Sequence, residues 1–125
     1  MTLIVVFCDA ISETTEHLFF YCRHTQNLWS QVENWTKTVF TDITFDIKTV
    51  LFGYNTFKYA PINLIILLVK QYIFQQSRKN REMSFSEVKE KITYEYLIEK
   101  TRFSLKFEST KFETRWSPFR ALFEN

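Results

Sequence analysis

The chain has a single glycine, Gly53, and only two prolines, Pro61 and Pro118, among 125 residues. Glycine and proline are the residues that make tight turns, so repeated hairpins fit this chain poorly. Helices joined by short connections fit it better. One glycine also excludes a glycine-rich phosphate-binding loop. The two cysteines, Cys8 and Cys22, are too few for the disulfide framework of a small secreted domain. No apolar run approaches the ~20 residues that cross a bilayer. Residues 62–69 are interrupted by Asn63 and closed by Lys70, and residues 2–7 lack the basic stretch that precedes a secretory signal. The expectation is an intracellular protein, nuclear or cytoplasmic, in a reducing compartment and with no membrane partner.

Aromatic bulk is what the chain has in quantity. Fourteen Phe, six Tyr and three Trp make 18% of the residues, far more than a disordered chain carries. The length suits one domain with a modest core. Charge is unevenly placed. Residues 1–57 hold three Lys/Arg and six Asp/Glu, a net −3, whereas residues 58–125 hold thirteen and eight, a net +5. The basic half is a modest hint of a polyanionic partner.

Periodicity places the helices. A short one is expected over residues 14–21. A second, over 23–38, buries Leu28, Val32, Trp35 and Val39 on one face, with Trp29 widening the stripe. Residues 41–52 give mixed strand and helix signals, and Gly53 supplies a stop. Pro61 is placed to open a helix to about Arg78, apolar almost all round and so expected in the middle of a bundle. A polar, basic connection, Ser77-Arg78-Lys79-Asn80-Arg81, follows. Ser84-Phe85-Ser86-Glu87 has the form of a capping box, opening a helix to about Phe107 with Phe85, Val88, Ile92, Tyr96, Phe103 and Phe107 inside. Thr110-Lys111-Phe112-Glu113 repeats the pattern before a short helix bearing Phe112 and Trp116, after which the tail from Phe119 is expected to fray.

The densest chemistry lies in residues 8–24. Cys8, His17 and Cys22 follow the order C-x8-H-x4-C, and thiolate and imidazole are ligands that zinc prefers. His17 and Cys22 are a little over one helical turn apart, and His24 or Asp9 is the candidate fourth ligand. Two buried thiols with a core histidine, or a Cys8–Cys22 disulfide, are the competing readings.

The segment Glu13-Thr14-Thr15-Glu16-His17-Leu18-Phe19-Phe20-Tyr21-Cys22, with Trp29 beyond it, resembles the zinc-binding domain that follows the reverse transcriptase of non-LTR (LINE-type) retrotransposon polyproteins. Thr49-Val50-Leu51-Phe52-Gly53, residues 67–74 and Lys111-Phe112-Glu113-Thr114-Arg115-Trp116 look similar to later parts of such polyproteins. The resemblance matches Cys8 to the second cysteine of the family's C-x2-C pair, His17 to its histidine and Cys22 to its last cysteine. Val5 stands where the family has its first cysteine. A zinc ion, loosely held for want of one ligand, is the implied cofactor. A chain that begins so close to Cys8 reads as a piece of something longer.

No carboxylate pair, nucleophilic serine or polymerase aspartate pair stands out, so no catalysis is expected. Arg78, Lys79 and Arg81, with Lys89, Arg102, Lys106 and Arg115, are the candidate phosphate-tracking surface, and Tyr54, Phe57 and Tyr59 the candidate stacking residues. The expectation is a mainly α single domain: a Cys-His knuckle with its Trp-bearing helix over about 5–40, then a small bundle of three to four helices, its C-terminal part over about 58–118. It is read as a non-catalytic fragment that binds RNA or single-stranded DNA and takes no small-molecule substrate. The rivals are a metal-free helical protein-interaction module and a remnant without selected activity.

Overall fold

The computed structural model of the chain describes residues 16–117 and 119–124. The apolar run at 2–7, Cys8, Asp9 and Pro118 lie outside them. Among the described residues there is no strand, and the chain is mainly helical. A π-helical turn, His17–Tyr21, leads into α1 (Arg23–Thr36). α2 (Ile47–Phe52) is short, α3 (Ala60–Lys79) and α4 (Phe85–Leu105) are long, and α5 (Ser109–Trp116) is followed by a 3₁₀ turn, Phe119–Leu122. A further 3₁₀ turn, Phe57–Tyr59, precedes α3. Among the described residues, five α-helices therefore stand where three or four were expected.

The additional helix is α2, in the segment of mixed signals. Asp46 caps it, accepting from the Thr49 amide at 2.8 Å and the Thr49 hydroxyl at 2.5 Å. Before it, Ile43 and Phe45 are buried while Thr44 and Asp46 are exposed, which explains the strand-like alternation. The Tyr54 hydroxyl occupies the place of a neighbouring strand, accepting from Thr44 N–H at 3.0 Å and donating to Thr44 O at 2.7 Å. Gly53 ends α2 at φ +75°, and a Cβ there would stand 2.7 Å from the Asn63 side chain. That side chain in turn accepts from Tyr54 N–H at 2.7 Å and donates to Tyr54 O at 2.9 Å.

α3 is the central element, packed against α4, α5 and the π turn. Ile62, Ile65, Ile66, Val69, Tyr72 and Ile73 are all buried, as its broad apolar face predicts. The helix is not covered all round, because Leu67 and Phe74 are 59% and 48% exposed. On α1, Leu28 and Val32 are buried as the stripe requires, but the two tryptophans exchange places. Trp29 is buried and donates from Nε1 to Phe19 O at 2.6 Å. Trp35 is half-buried, edge-on to Phe85 and Phe123.

The C-terminal third departs from expectation in two places. α5 begins at Ser109 with Glu108 as its cap residue, so Thr110 lies inside the helix and its hydroxyl opens no capping box. The tail from Phe119 does not fray: Phe119 is fully buried, and Phe123 stacks on Tyr96 with ring centroids 4.3 Å apart. Tyr96 also donates to Glu124, which pairs with Lys100 at 2.8 Å.

Candidate nucleic-acid interface

The Cys-His end is built on the π turn. Cys22 N–H donates to His17 O at 2.7 Å, a bond across five residues, so residue 22 sits one π turn beyond residue 17. Such a turn leaves carbonyls out of the ordinary helical pattern, and α1 supplies their partners. Thr25 Oγ1 donates to Leu18 O at 2.8 Å and Trp29 Nε1 to Phe19 O. Single π turns inside helical stretches are frequent at functional positions. Cys22 is fully buried, whereas His17 and His24 are half-buried.

Among the described residues, no three His, Cys, Asp or Glu side chains come together to hold a metal ion. His24 therefore does not join His17 and Cys22 in one group, and Cys8 and Asp9 lie outside the described residues. A structural zinc site needs four protein ligands. The described residues bring two of the expected donors into adjacent register, and by themselves they do not make a zinc site.

The basic connection between α3 and α4 is the better-defined feature. α3 closes with Asn80 at φ +52°, where Arg81 N–H donates to Gln76 O at 2.9 Å and Asn80 N–H to Ser77 O at 3.2 Å. Asparagine tolerates that left-handed position, which ends the helix sharply. The buried Gln76 donates from Nε2 to Glu82 O at 2.7 Å, fastening the connection from beneath. Tyr72 fastens its far end, with its hydroxyl accepting from Ser84 N–H at 2.8 Å and donating to Glu87 at 2.6 Å. Burial, then the Glu87 carboxylate, pushes the Tyr72 hydroxyl up to about 12, so it remains a neutral donor at physiological pH. Ser84 Oγ accepts from Glu87 N–H at 3.4 Å, so the expected cap is present.

Arg78 and Lys79 are the last two residues of α3 and Arg81 stands on the fastened connection that follows, and all three are exposed. Among the described residues none of the three has an ion-pair partner, and the Arg78 guanidinium lies 5.7 Å from the Phe74 ring centre. Arg78 and Lys79 also complement the negative end of the α3 dipole. Arg81 lies beyond the helix and has no such role.

The seven basic residues do not form one surface. Lys89, one turn into α4, is at the same end as the connection, its ammonium 5.5 Å from the Trp35 ring centre. Arg102 lies thirteen residues further along α4, roughly 20 Å away at 1.5 Å per residue. There it lines a cleft of about 260 Å³ with Glu99, Phe103, Lys106, Glu108 and Arg115. Arg115 is engaged by Glu99 at 2.9 Å and lies 5.4 Å from the Phe103 ring centre.

Of the expected stacking residues, Tyr54 and Tyr59 are placed differently, and the Phe57 side chain lies outside what the structure describes. Tyr54 and Tyr59 stack on each other at 4.4 Å and are half-buried, so one face of each ring is already taken. Phe107, expected on the inner side of α4, is 96% exposed. The periodicity that puts it inside ends at Leu105, two residues earlier.

A separate apolar groove of about 510 Å³ runs between α3 and the ends of α2 and the π turn, lined by Phe19, Leu51, Leu67, Leu68, Lys70, Gln71 and Phe74. Lys70 Nζ donates to Leu51 O at 3.3 Å, and burial lowers its pKa. No helix among the described residues is long and apolar enough to cross a membrane. No protein-family model, curated protein or solved structure matches the chain.

Proposed function

We propose that this chain is a non-catalytic module that binds RNA or single-stranded DNA through its phosphates, with the basic α3–α4 connection as the main contact. The observation that carries this reading is the exposure of Arg78 and Lys79 at the end of α3 and of Arg81 on a connection fixed by Gln76 and Tyr72. A fixed loop presents its cations without losing much conformational freedom when phosphate binds. Contacts of this kind position a nucleic acid and do not read its bases. The π turn bearing His17 and Cys22 fits a degenerate zinc knuckle of the retrotransposon type that the sequence resembles, with Cys8 and at most one further ligand. In that parentage the module helps to hold template or target strand for a polymerase on another part of the polyprotein. Salt-dependent binding to single-stranded RNA tests the reading.

A metal-free protein-interaction module is the second reading. The specific observation favouring it is the apolar groove, where Leu67 and Phe74 stand exposed and Leu51 of α2 joins the lining. Pull-down of a partner that Leu67→Asp abolishes, with no RNA binding by the wild type, would favour it over the first.

A further inference from the structure

The turn between α4 and α5 holds a side chain that local stability does not require. Glu108 N–H donates to Phe103 O at 2.8 Å and Phe107 N–H to Ser104 O at 3.0 Å, which closes α4 with Phe107 at φ +58°. α3 closes by the same pair of bonds, but with Asn80 at the left-handed position. Asparagine or glycine is suited to that position, whereas a phenylalanine there brings its Cβ against the backbone. Packing does not offset the penalty, because the ring is 96% exposed.

The residues on either side of Phe107 line a charged cleft, although Phe107 is not itself in its lining. Lys106 and Glu108, on either side of it in sequence, both line the cleft of about 260 Å³ that Arg102 also enters. The acidic groups there are engaged, Glu99 by Arg115 at 2.9 Å and Glu108 by Lys111 at 3.3 Å. Arg102 and Lys106 are exposed, and among the described residues neither has an ion-pair partner. The cleft is smaller than the ~300–1,000 Å³ typical of pockets for drug-sized ligands, so it suits a single anionic group.

We infer that Phe107 is a stacking platform for an unpaired base of a single-stranded nucleic acid, with the adjoining phosphate held by Arg102 and Lys106. Every base has a face that can stack on an aromatic ring, so this contact adds affinity without sequence preference. The cationic neighbours carry the sign that phosphate demands. This inference rests on the nucleic-acid reading above and adds a second contact at the opposite end of α4. It replaces Tyr54 and Tyr59, which occupy each other, as the source of stacking.

The test uses the full chain and a short single-stranded RNA carrying a fluorescent adenine analogue that is quenched when stacked. Phe107→Gly relieves the backbone and so retains the fold, Phe107→Trp keeps an aromatic face, and Phe107→Leu keeps an apolar side chain without one. The wild type and Phe107→Trp should bind and quench. Phe107→Gly and Phe107→Leu should bind at least about fivefold more weakly and lose the quenching. RNA binding by the wild type with quenching unchanged in Phe107→Gly would overturn the stacking site and leave the phosphate-binding reading intact. No RNA binding by the wild type at low salt would overturn both. Partition of the wild type onto anionic lipid vesicles, retained by Phe107→Leu and lost in Phe107→Gly, with no quenching of RNA, would overturn the stacking site by assigning the ring to a lipid surface.

Discussion

The hydroxyl of Tyr72 sits between the two ends of the α4 cap, accepting from Ser84 N–H at 2.8 Å and donating to the Glu87 carboxylate at 2.6 Å. In a reciprocal capping box the glutamate would bond the cap residue's own amide. Here the tyrosine stands in that path, so the start of α4 is fastened to the middle of α3. The basic connection is held as a consequence.

Tyr72→Phe removes both bonds while keeping the buried ring. The expected loss is about 1–2 kcal/mol of stability, since one bond goes to a charged group and the Ser84 amide loses its acceptor. Denaturant unfolding checks the magnitude, and faster hydrogen exchange at the Ser84 amide checks the location. An unchanged midpoint would mean that the connection is held without Tyr72.

Glu124 should make stability sensitive to acid. The Lys100 ammonium, together with the Tyr96 hydroxyl, holds its carboxyl down to about 2. A depressed folded pKa contributes stability that is complete above the unfolded value near 4.5 and is lost as pH falls toward 2. Glu124→Gln should therefore be less stable than the wild type at pH 7, and the gap should close between about pH 4.5 and 2. Melting temperatures at several pH values decide this; a gap that persists below pH 2 would assign the loss to packing.

Trp29→Ala should cost about 3–5 kcal/mol, the range for truncating a large buried aromatic, because it also frees the Phe19 carbonyl that the indole holds. Trp35→Ala should cost clearly less, since that ring is half-buried. Thermal melts of the two variants would reverse the order if α1 were rotated from its present face.

Much of the fold is legible in the sequence because it rests on local signals. Leu28 and Val32 follow the helical period, Pro61 stands in the first turn of α3, and Ser84 caps α4. α2 is less legible: its signal is Asp46 bonding Thr49, in a segment whose buried Ile43 and Phe45 alternate like a strand. The anchored C-terminal turn depends on Tyr96, far away in sequence, which local pattern does not reveal. Phe107 escapes the helical period because that period holds only as far as the helix, and α4 ends before it. The clustering of Arg78, Lys79 and Arg81 is plain in the sequence. Their separation from Arg102 is a consequence of helix length, and only the fold makes it visible.

For the Cys-His end, three ligands without the fourth should hold zinc loosely, and Val5→Cys should tighten binding markedly if Val5 replaces a lost ligand. Metal content of purified wild type and Val5→Cys, before and after dialysis against a chelator, measures this. Stoichiometric, chelator-resistant zinc in the wild type would show that another group already completes the site.

Phosphate binding at the fastened connection is measured by titrating single-stranded RNA against the protein at two salt concentrations. Wild-type affinity should fall steeply with salt, by counterion release, and remain micromolar or weaker at physiological ionic strength. Replacing Arg78, Lys79 and Arg81 together by alanine should weaken binding to unrelated sequences by a similar factor. It should also flatten the slope of log K against log salt by about 2, at roughly 0.7 for each phosphate no longer neutralised. An identical slope and affinity in the triple variant would rule out phosphate binding by these three residues, as would no detectable binding by the wild type at low salt.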